Sequence, residues 1–179
     1  MPTLKPVTPD FLDSAPLRIE TDVSVPAPID ACWAMLVDQA SWVQWFAELT
    51  AVEATPWIWT EPGQTRAVVA NGLRVQETAI SIDEEREYAF TITKWPLPTA
   101  VSVAEGVRLE DRTNGGSPRT QLTYIGAFEP TAIGRRLEGV LRSQLTTAWG
   151  RAFTRLGDLA NARVKQQRDS ETAMGPNDA

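Results

Sequence analysis

Residues 131–167 constrain the fold more than any other stretch. They contain no proline, and Ile133, Leu137, Val140, Leu141, Leu145, Ala148, Trp149, Ala152, Phe153, Leu156, Leu159 and Ala160 recur mostly at three- and four-residue spacings. That spacing is the apolar face of one long amphipathic helix. At the helical rise, about 35 residues reach roughly 50 Å. This is more than a small domain is wide, so the Lys/Arg-rich end is expected to project. A stripe of Leu, Trp and Phe must be covered, and the strand-rich segment before it is the available partner. Two outcomes stay open: a helix sealing an ordinary core, or a helix lying across a curved sheet with a cavity between them.

The preceding segment reads as sheet. Residues 1–16, with Pro2, Pro6, Pro9 and Pro16, form a flexible or draped arm that Phe11 and Leu12 could pin to the body. Leu17, Ile19, Thr21, Val23 and Val25 then alternate with polar residues, as in a half-buried strand. Pro26 and Pro28 end that strand and open a helix carrying Ile29, Cys32, Trp33 and Leu36. Asp38 can cap a second short helix, whose Trp42, Trp45 and Phe46 belong against the concave side of a sheet. Further strands are expected over 49–59, 65–70, 73–82, 87–95, 101–109 and 119–128. Pro62-Gly63, Asn71-Gly72, residues 83–86, Pro96 with Pro98, and residues 113–118 separate them. Residues 169–179 read as a disordered tail. The expected architecture is α+β, with a single domain over 17–168. It has a curved antiparallel sheet of about seven strands, two short helices, and a long C-terminal helix packed over the concave face.

Composition narrows the chemistry. The chain of 179 residues has no histidine and one cysteine, Cys32. Histidine triads, histidine general bases, zinc, haem and iron–sulfur sites therefore leave the table. No acidic loop is spaced to hold Mg²⁺ or Ca²⁺, so neither metal nor cofactor is expected. Net charge is -6, with no dense basic patch outside the last helix, which argues against nucleic acid. There Arg151, Arg155, Arg163, Lys165 and Arg168 complement a helix terminus. No apolar run is long enough for a membrane span, and no signal-peptide pattern opens the chain. With a lone cysteine, this points to a cytoplasmic protein.

The layout resembles the START-like helix-grip superfamily (SRPBCC), and most of all its bacterial polyketide cyclase/dehydrase-type branch. The resemblance rests on strand 19–25, followed by Pro26-Ala27-Pro28 and a helix containing Trp33. It continues through Asp38, Trp42 and Trp45-Phe46, then Gly115-Gly116 and Arg119-Thr120-Gln121-Leu122-Thr123-Tyr124. Phe128-Glu129-Pro130 and a last helix with Gly134 and Leu137 complete it, over about residues 17–162. It implies a pocket between sheet and C-terminal helix, with the second short helix and adjacent loops at its mouth. Lipid carriers, cyclases and other binding modules share such a fold.

Within that frame, Trp42, Trp45, Phe46, Arg74, Gln76, Tyr88, Phe90, Glu105, Tyr124, Leu141, Leu145 and Trp149 are the candidate ligand contacts. Tyr88, Phe90 and Ile92 share one strand face, and Tyr124 shares another with Leu122, Gly126 and Phe128. Either tyrosine is a ligand donor or a core tyrosine with a routine partner. Glu105 interrupts an apolar face made by Val101, Val103, Val107 and Leu109. Buried there it is a general acid or hydrogen-bond donor with a raised pKa; at an edge it is a solvent-facing carboxylate. Arg74 and Gln76 lie at the pocket end of a strand or at its surface, since Val75, Glu77, Ala79 and Ser81 compete for the inward face. Seven tryptophans in the chain suit an apolar or ring-shaped ligand, or simple packing. Cys32 reads as buried and inert.

The functional expectation is an intracellular carrier or sensor for a small hydrophobic molecule such as a lipid, polyketide or aromatic compound. A homodimer is allowed. The first alternative is a cyclase/dehydratase-like enzyme using Glu105, Tyr88 or Tyr124; the second is a ligand-free partner-binding or stress-response module.

Overall fold

The computed structural model describes residues 2–173. Alternating side chains lay down β1 (Leu17–Val25), β2 (Leu49–Thr55), β3 (Thr65–Ala70), β4 (Leu73–Asp83), β5 (Glu87–Lys94), β6 (Ala100–Asp111) and β7 (Thr120–Pro130). They form one seven-stranded antiparallel sheet in the order β1-β7-β6-β5-β4-β3-β2. Consecutive strands from β2 to β7 are neighbours, as short turns dictate. Asn71 and Gly72, both at positive φ, make the tight β3–β4 hairpin. The chain closes by returning β1 to the outer side of β7, with Leu17 opposite Phe128 and Val25 opposite Thr120.

Helices occupy both faces, unequally. On the concave side lie α2 (Ile29–Val37), a 3-10 turn (Gln39–Ser41) and α3 (Trp42–Trp45), then α4 (Ala132–Arg136) and α5 (Glu138–Ala173). The Asp38 carboxylate accepts from the Ala40 N–H at 3.0 Å and fixes the start of the 3-10 turn. Trp149, Ala152, Phe153, Leu156 and Ala160 carry the buried stripe of α5. Gly157 lets that helix approach β1 so closely that a Cβ would sit 2.5 Å from Val25. After Ala160 the side chains are mostly exposed as far as Ser170, so the helix end projects as its length requires.

The expected continuous helix is interrupted. Leu137 leaves helical geometry (φ -99°, ψ 3°) and splits α4 from α5. The apolar stripe is consequently uncovered at its start: Ile133, Leu137 and Val140 are exposed, while Leu141 and Leu145 are half-buried. The N-terminal stretch lies on the sheet. In α1 (Phe11–Ser14), Leu12 is fully buried on the convex face with Ala89, Ala104, Ile125 and Ala127. Gly106 provides the seat, because a Cβ there would lie 2.8 Å from the Leu12 side chain. Asp13 holds Arg108 at 2.7 Å beside it. Of the stretch 169–179, residues up to Ala173 continue α5, and 174–179 lie outside the described residues.

Register breaks decide which side chains face inward. A bulge between Ala79 and Ser81 shifts β4 against β5, so Val75, Glu77 and Ala79 face the concave core and Ile82 rejoins it, while Ile80 packs on the convex side. A second irregularity, between Ala100 and Ser102, takes Val101 off the face it was expected to share with Val103 and Glu105 and leaves it exposed.

Candidate ligand site

The concave face has two differently furnished ends. At the β3–β4 end, Arg66 and Glu77 are directly opposed across the strand pair. Their side chains are almost wholly buried, with Arg66 Nε 2.6 Å from the Glu77 carboxylate. Gln39, projecting from the 3-10 turn, accepts from Arg66 Nη1 at 2.6 Å and from the Tyr88 hydroxyl at 3.2 Å, while its own amide donates to the Val37 carbonyl at 2.7 Å. The guanidinium carbon sits 3.9 Å from the Trp42 ring centre, 4.9 Å from Phe90 and 5.1 Å from Trp59. Burial alone would lower the Arg66 pKa, but the Glu77 carboxylate outweighs it and the guanidinium stays charged. Burial pushes the Glu77 carboxyl up, against the pull of Arg66. Burial raises the Tyr88 phenol as well.

Aromatic rings fill the middle. Trp42 and Trp45 lie 4.5 Å apart, Phe46 packs on Trp149 at 4.6 Å, and Tyr124 stacks on Trp149 at 4.2 Å. Trp42 donates to the Leu36 carbonyl and Trp45 to Ser41. All these rings are packed core, and the two indoles of α3 are hydrogen-bonded.

The other end is open. A cavity of about 60 Å³ lies between β5, β6, β7 and the start of α5; Ile92, Trp95, Val103, Glu105, Phe128, Leu141 and Leu145 are among its walls. The Glu105 carboxyl forms its floor. Gly126, opposite Glu105 on β7, has no side chain, and the Tyr124 hydroxyl takes the vacated space, 2.6 Å from where a Cβ would stand. Tyr124 and Glu105 are close enough to shift one another's titration, and the indole of Trp149 adjoins the same hydroxyl. Yet neither the Tyr124 hydroxyl nor Trp149 Nε1 has a partner in hydrogen-bonding geometry, although both are buried. Burial first, and then the charge of Glu77, push the Glu105 carboxyl up to about 8, so it is mostly protonated at neutral pH. Burial and the neighbouring Glu105 raise the Tyr124 phenol well above its ordinary value. A carboxyl thus faces an apolar cavity, with two further potential donors, the Tyr124 hydroxyl and the Trp149 indole, behind it.

The structure sorts the candidates from sequence. Glu105, Leu141 and Leu145 line the cavity, with Tyr124 and Trp149 adjoining its floor. Trp42, Trp45, Phe46, Tyr88 and Phe90 face the same side of the sheet but are spent on packing and on the Arg66 network. The bulged β4 puts Glu77 inward and turns Arg74 out to an exposed ion pair with Glu53 at 2.6 Å. Gln76, one residue before Glu77, is excluded from the cavity by the same alternation. Sequence reasoning missed Arg66 and Gln39. Arg66 shares a strand face with Val68 and Ala70, a signal that it points inward. Nothing local marked Gln39. Cys32 is buried, and burial lifts its thiol to about 11.

A long helix held against the concave face of an antiparallel sheet, with short helices filling one end, defines the helix-grip class of α+β proteins. Within that class the chain belongs to the polyketide cyclase/dehydrase and lipid transport family, whose model matches residues 16–161. Solved structures of similar fold include the ZhuI aromatase/cyclase from Streptomyces sp. R1128, with 20% identity and a TM-score of 0.63, covering 83% of this chain and 95% of that one. Protein XoxI from Bacillus cereus is 14% identical with a TM-score of 0.63, covering 79% of this chain and 94% of its own. Ara h 8.0201 is 14% identical with a TM-score of 0.56, covering 82% and 98%. At these identities the likeness is one of fold. No protein with a curated description matches the chain by sequence. Among the described residues, no helix is long and apolar enough to cross a membrane.

Proposed function

We propose that the protein is an intracellular carrier or sensor for a slender hydrophobic molecule whose head group accepts hydrogen bonds. The observation that carries this reading is a carboxyl at the cavity floor held mostly neutral, backed by a phenol and an indole that adjoin one another but make no hydrogen bond of good geometry. A buried donor without a partner costs about 1–3 kcal/mol, and an oxygen of a bound ligand would satisfy two or three donors at once. The walls of Ile92, Val103, Phe128, Leu141 and Leu145 supply the apolar surface that such sites use for affinity.

Native mass spectrometry of freshly purified protein, followed by solvent extraction, tests this. The expected result is a stoichiometric hydrophobic passenger bearing a carbonyl, ester or carboxyl oxygen, lost from Glu105→Leu/Tyr124→Phe protein, which has neither donor. A clean apo mass, with no thermal shift against a panel of lipids and polyketides, would count against it.

One observation favours an enzymatic second reading. Arg66 Nη2 is a buried cationic donor without a partner, in the same interior as a carboxyl poised near neutrality. Ring closure through an enolate uses such a donor for the oxyanion and such a carboxyl for proton transfer. Turnover of a poly-β-ketone thioester with a pH profile that Glu105→Gln abolishes would establish it.

A further inference from the structure

β5 and β6 pair from Glu87 opposite Arg108 to Thr91 opposite Ala104, and then part. Beyond that point residues 92–94 and 100–103 flank a slot in the sheet. Ile92 and Trp95 on one side of the slot, and Ala100 and Val103 on the other, line the cavity. The N-terminal stretch fills this slot. The Leu4 N–H donates to the Thr93 carbonyl at 3.0 Å, the Lys5 N–H to Val101 at 2.9 Å, and the Trp95 N–H to the Pro2 carbonyl at 3.2 Å. Residues 2–5 are therefore bonded to both lips. Leu4 is 5% exposed and belongs to the concave-side core, whereas Val7, Phe11 and Leu12 of the same stretch pack on the convex side. The arm delivers one side chain inward through the sheet. It also lies outside the residues that match the family model.

The cavity is about 60 Å³, and drug-sized ligands occupy about 300–1,000 Å³, so a wall must yield for a ligand to be held. The walls are fastened unequally. On the α5 side the cavity walls Leu141 and Leu145 are half-buried, and the helix is anchored just beyond them by Trp149, Phe153 and Leu156, each at 1% exposure or less. The α4 side is clamped: the Thr131 N–H donates to Thr99 at 3.1 Å and its hydroxyl to Pro98 at 2.8 Å. Gly134 approaches so closely that a Cβ would lie 1.9 Å from the Thr99 carbonyl oxygen. Among the described residues the slot is held by one leucine and three backbone hydrogen bonds, and Pro2 and Pro6 lack the N–H to extend that ladder.

We propose that residues 2–5, which plug the slot between the cavity-lining Ile92 and Trp95 on one side and Ala100 and Val103 on the other, are a removable backing of the ligand site, and that a ligand is admitted when they leave the slot between β5 and β6. This rests on the cavity reading above. Thr3 and Lys94 are opposed as an antiparallel bridge. The hydrogen bonds on either side mark a non-hydrogen-bonded pair, with Cα atoms about 4.5 Å apart, within disulfide reach. The full-length Thr3→Cys/Lys94→Cys protein is mixed with N-phenyl-1-naphthylamine by stopped flow, oxidised and reduced. Oxidation should slow uptake by about ten-fold or more, as closing a gate does; reduction should restore the wild-type rate, and Leu4→Ala should exceed it. Equal rates in the oxidised and reduced forms overturn the proposal. Leu145→Trp, which crowds the cavity itself, separates the two levels. If it blocks uptake while the tether does not, the cavity stands and the arm is not its door. If it leaves uptake unchanged, the probe is not in the cavity and the proposal falls with the reading beneath it.

Discussion

The two ends of the concave face each carry a glutamate, Glu77 buried and Glu105 half-buried, and the two are built for different ends. Glu77 meets Arg66 at 2.6 Å, and Gln39, itself bonded by the Tyr88 hydroxyl, holds that guanidinium in place with three aromatic rings. Glu105 faces a cavity beside a phenol and an indole that have no partner. Both stand on one sheet, on β4 and β6 with β5 between them; only the surroundings differ. A buried charge answered by a cation and a filled aromatic shell fastens the helices of one end to the sheet. A buried carboxyl answered by no cation at hydrogen-bonding distance gives up its charge instead, and becomes a donor waiting for an acceptor. One end of the sheet is therefore structural and the other chemical.

The largest effect should come from breaking the structural end. Arg66→Met strands Glu77 without its cation, and loss of one partner of a buried pair costs about 3–5 kcal/mol. Urea denaturation should show it, and Arg66→Met/Glu77→Leu should recover most of the loss. A single variant as stable as wild type would erase the contrast between the ends.

Next comes the pH dependence of the chemical end. The Glu105 carboxyl has an ordinary value of 4.5 and is raised to about 8 in the fold. Between those values the folded protein keeps a proton that the unfolded chain has released. Its contribution to stability is complete below 4.5 and declines as pH rises toward 8, by at most about 1.4 kcal/mol per pH unit. Melting curves of Glu105→Gln across that window should be flatter than wild type. Parallel curves would return Glu105 to the status of an ordinary surface carboxylate.

The smallest effect belongs to Arg74. Its exposed pair with Glu53 lies on the far side of the sheet from the cavity, so Arg74→Ala should leave both the unfolding midpoint and probe affinity unchanged. A change in probe affinity would show that β4 presents its other face.

Much of the layout was legible in the sequence because it depends on coarse signals. Alternation wrote the strands, Asn71-Gly72 and the prolines wrote their ends, and the stripe from Leu141 to Ala160 wrote the covering helix. The site was less legible because it depends on single-residue register. A bulge after Ala79 is invisible to alternation, yet it puts Ile82 on the concave side with Val75, Glu77 and Ala79, and Ile80 on the other, so the two isoleucines do not mark the face of Arg74 as inward. The irregularity at Ala100 likewise displaces Val101 but leaves Glu105 inside. Arg66 was overlooked because arginine on a short strand is ordinarily at the surface; only a cross-strand glutamate and the distant Gln39, 27 residues away in sequence, make its burial tolerable. The Trp42, Trp45 and Phe46 cluster was legible as aromatic mass against the sheet. Whether it lined a pocket or filled one depended on Trp149 reaching it from α5, a contact between segments far apart in the chain.

The most direct test of the contrast is an equilibrium titration of N-phenyl-1-naphthylamine into wild type and Leu145→Trp at neutral pH. With the Glu105 end as the site, wild type binds one probe per chain, and Leu145→Trp weakens binding by about ten-fold or more, or about 1.4 kcal/mol. Equal affinity in the two proteins would contradict the assignment of the cavity as the ligand site.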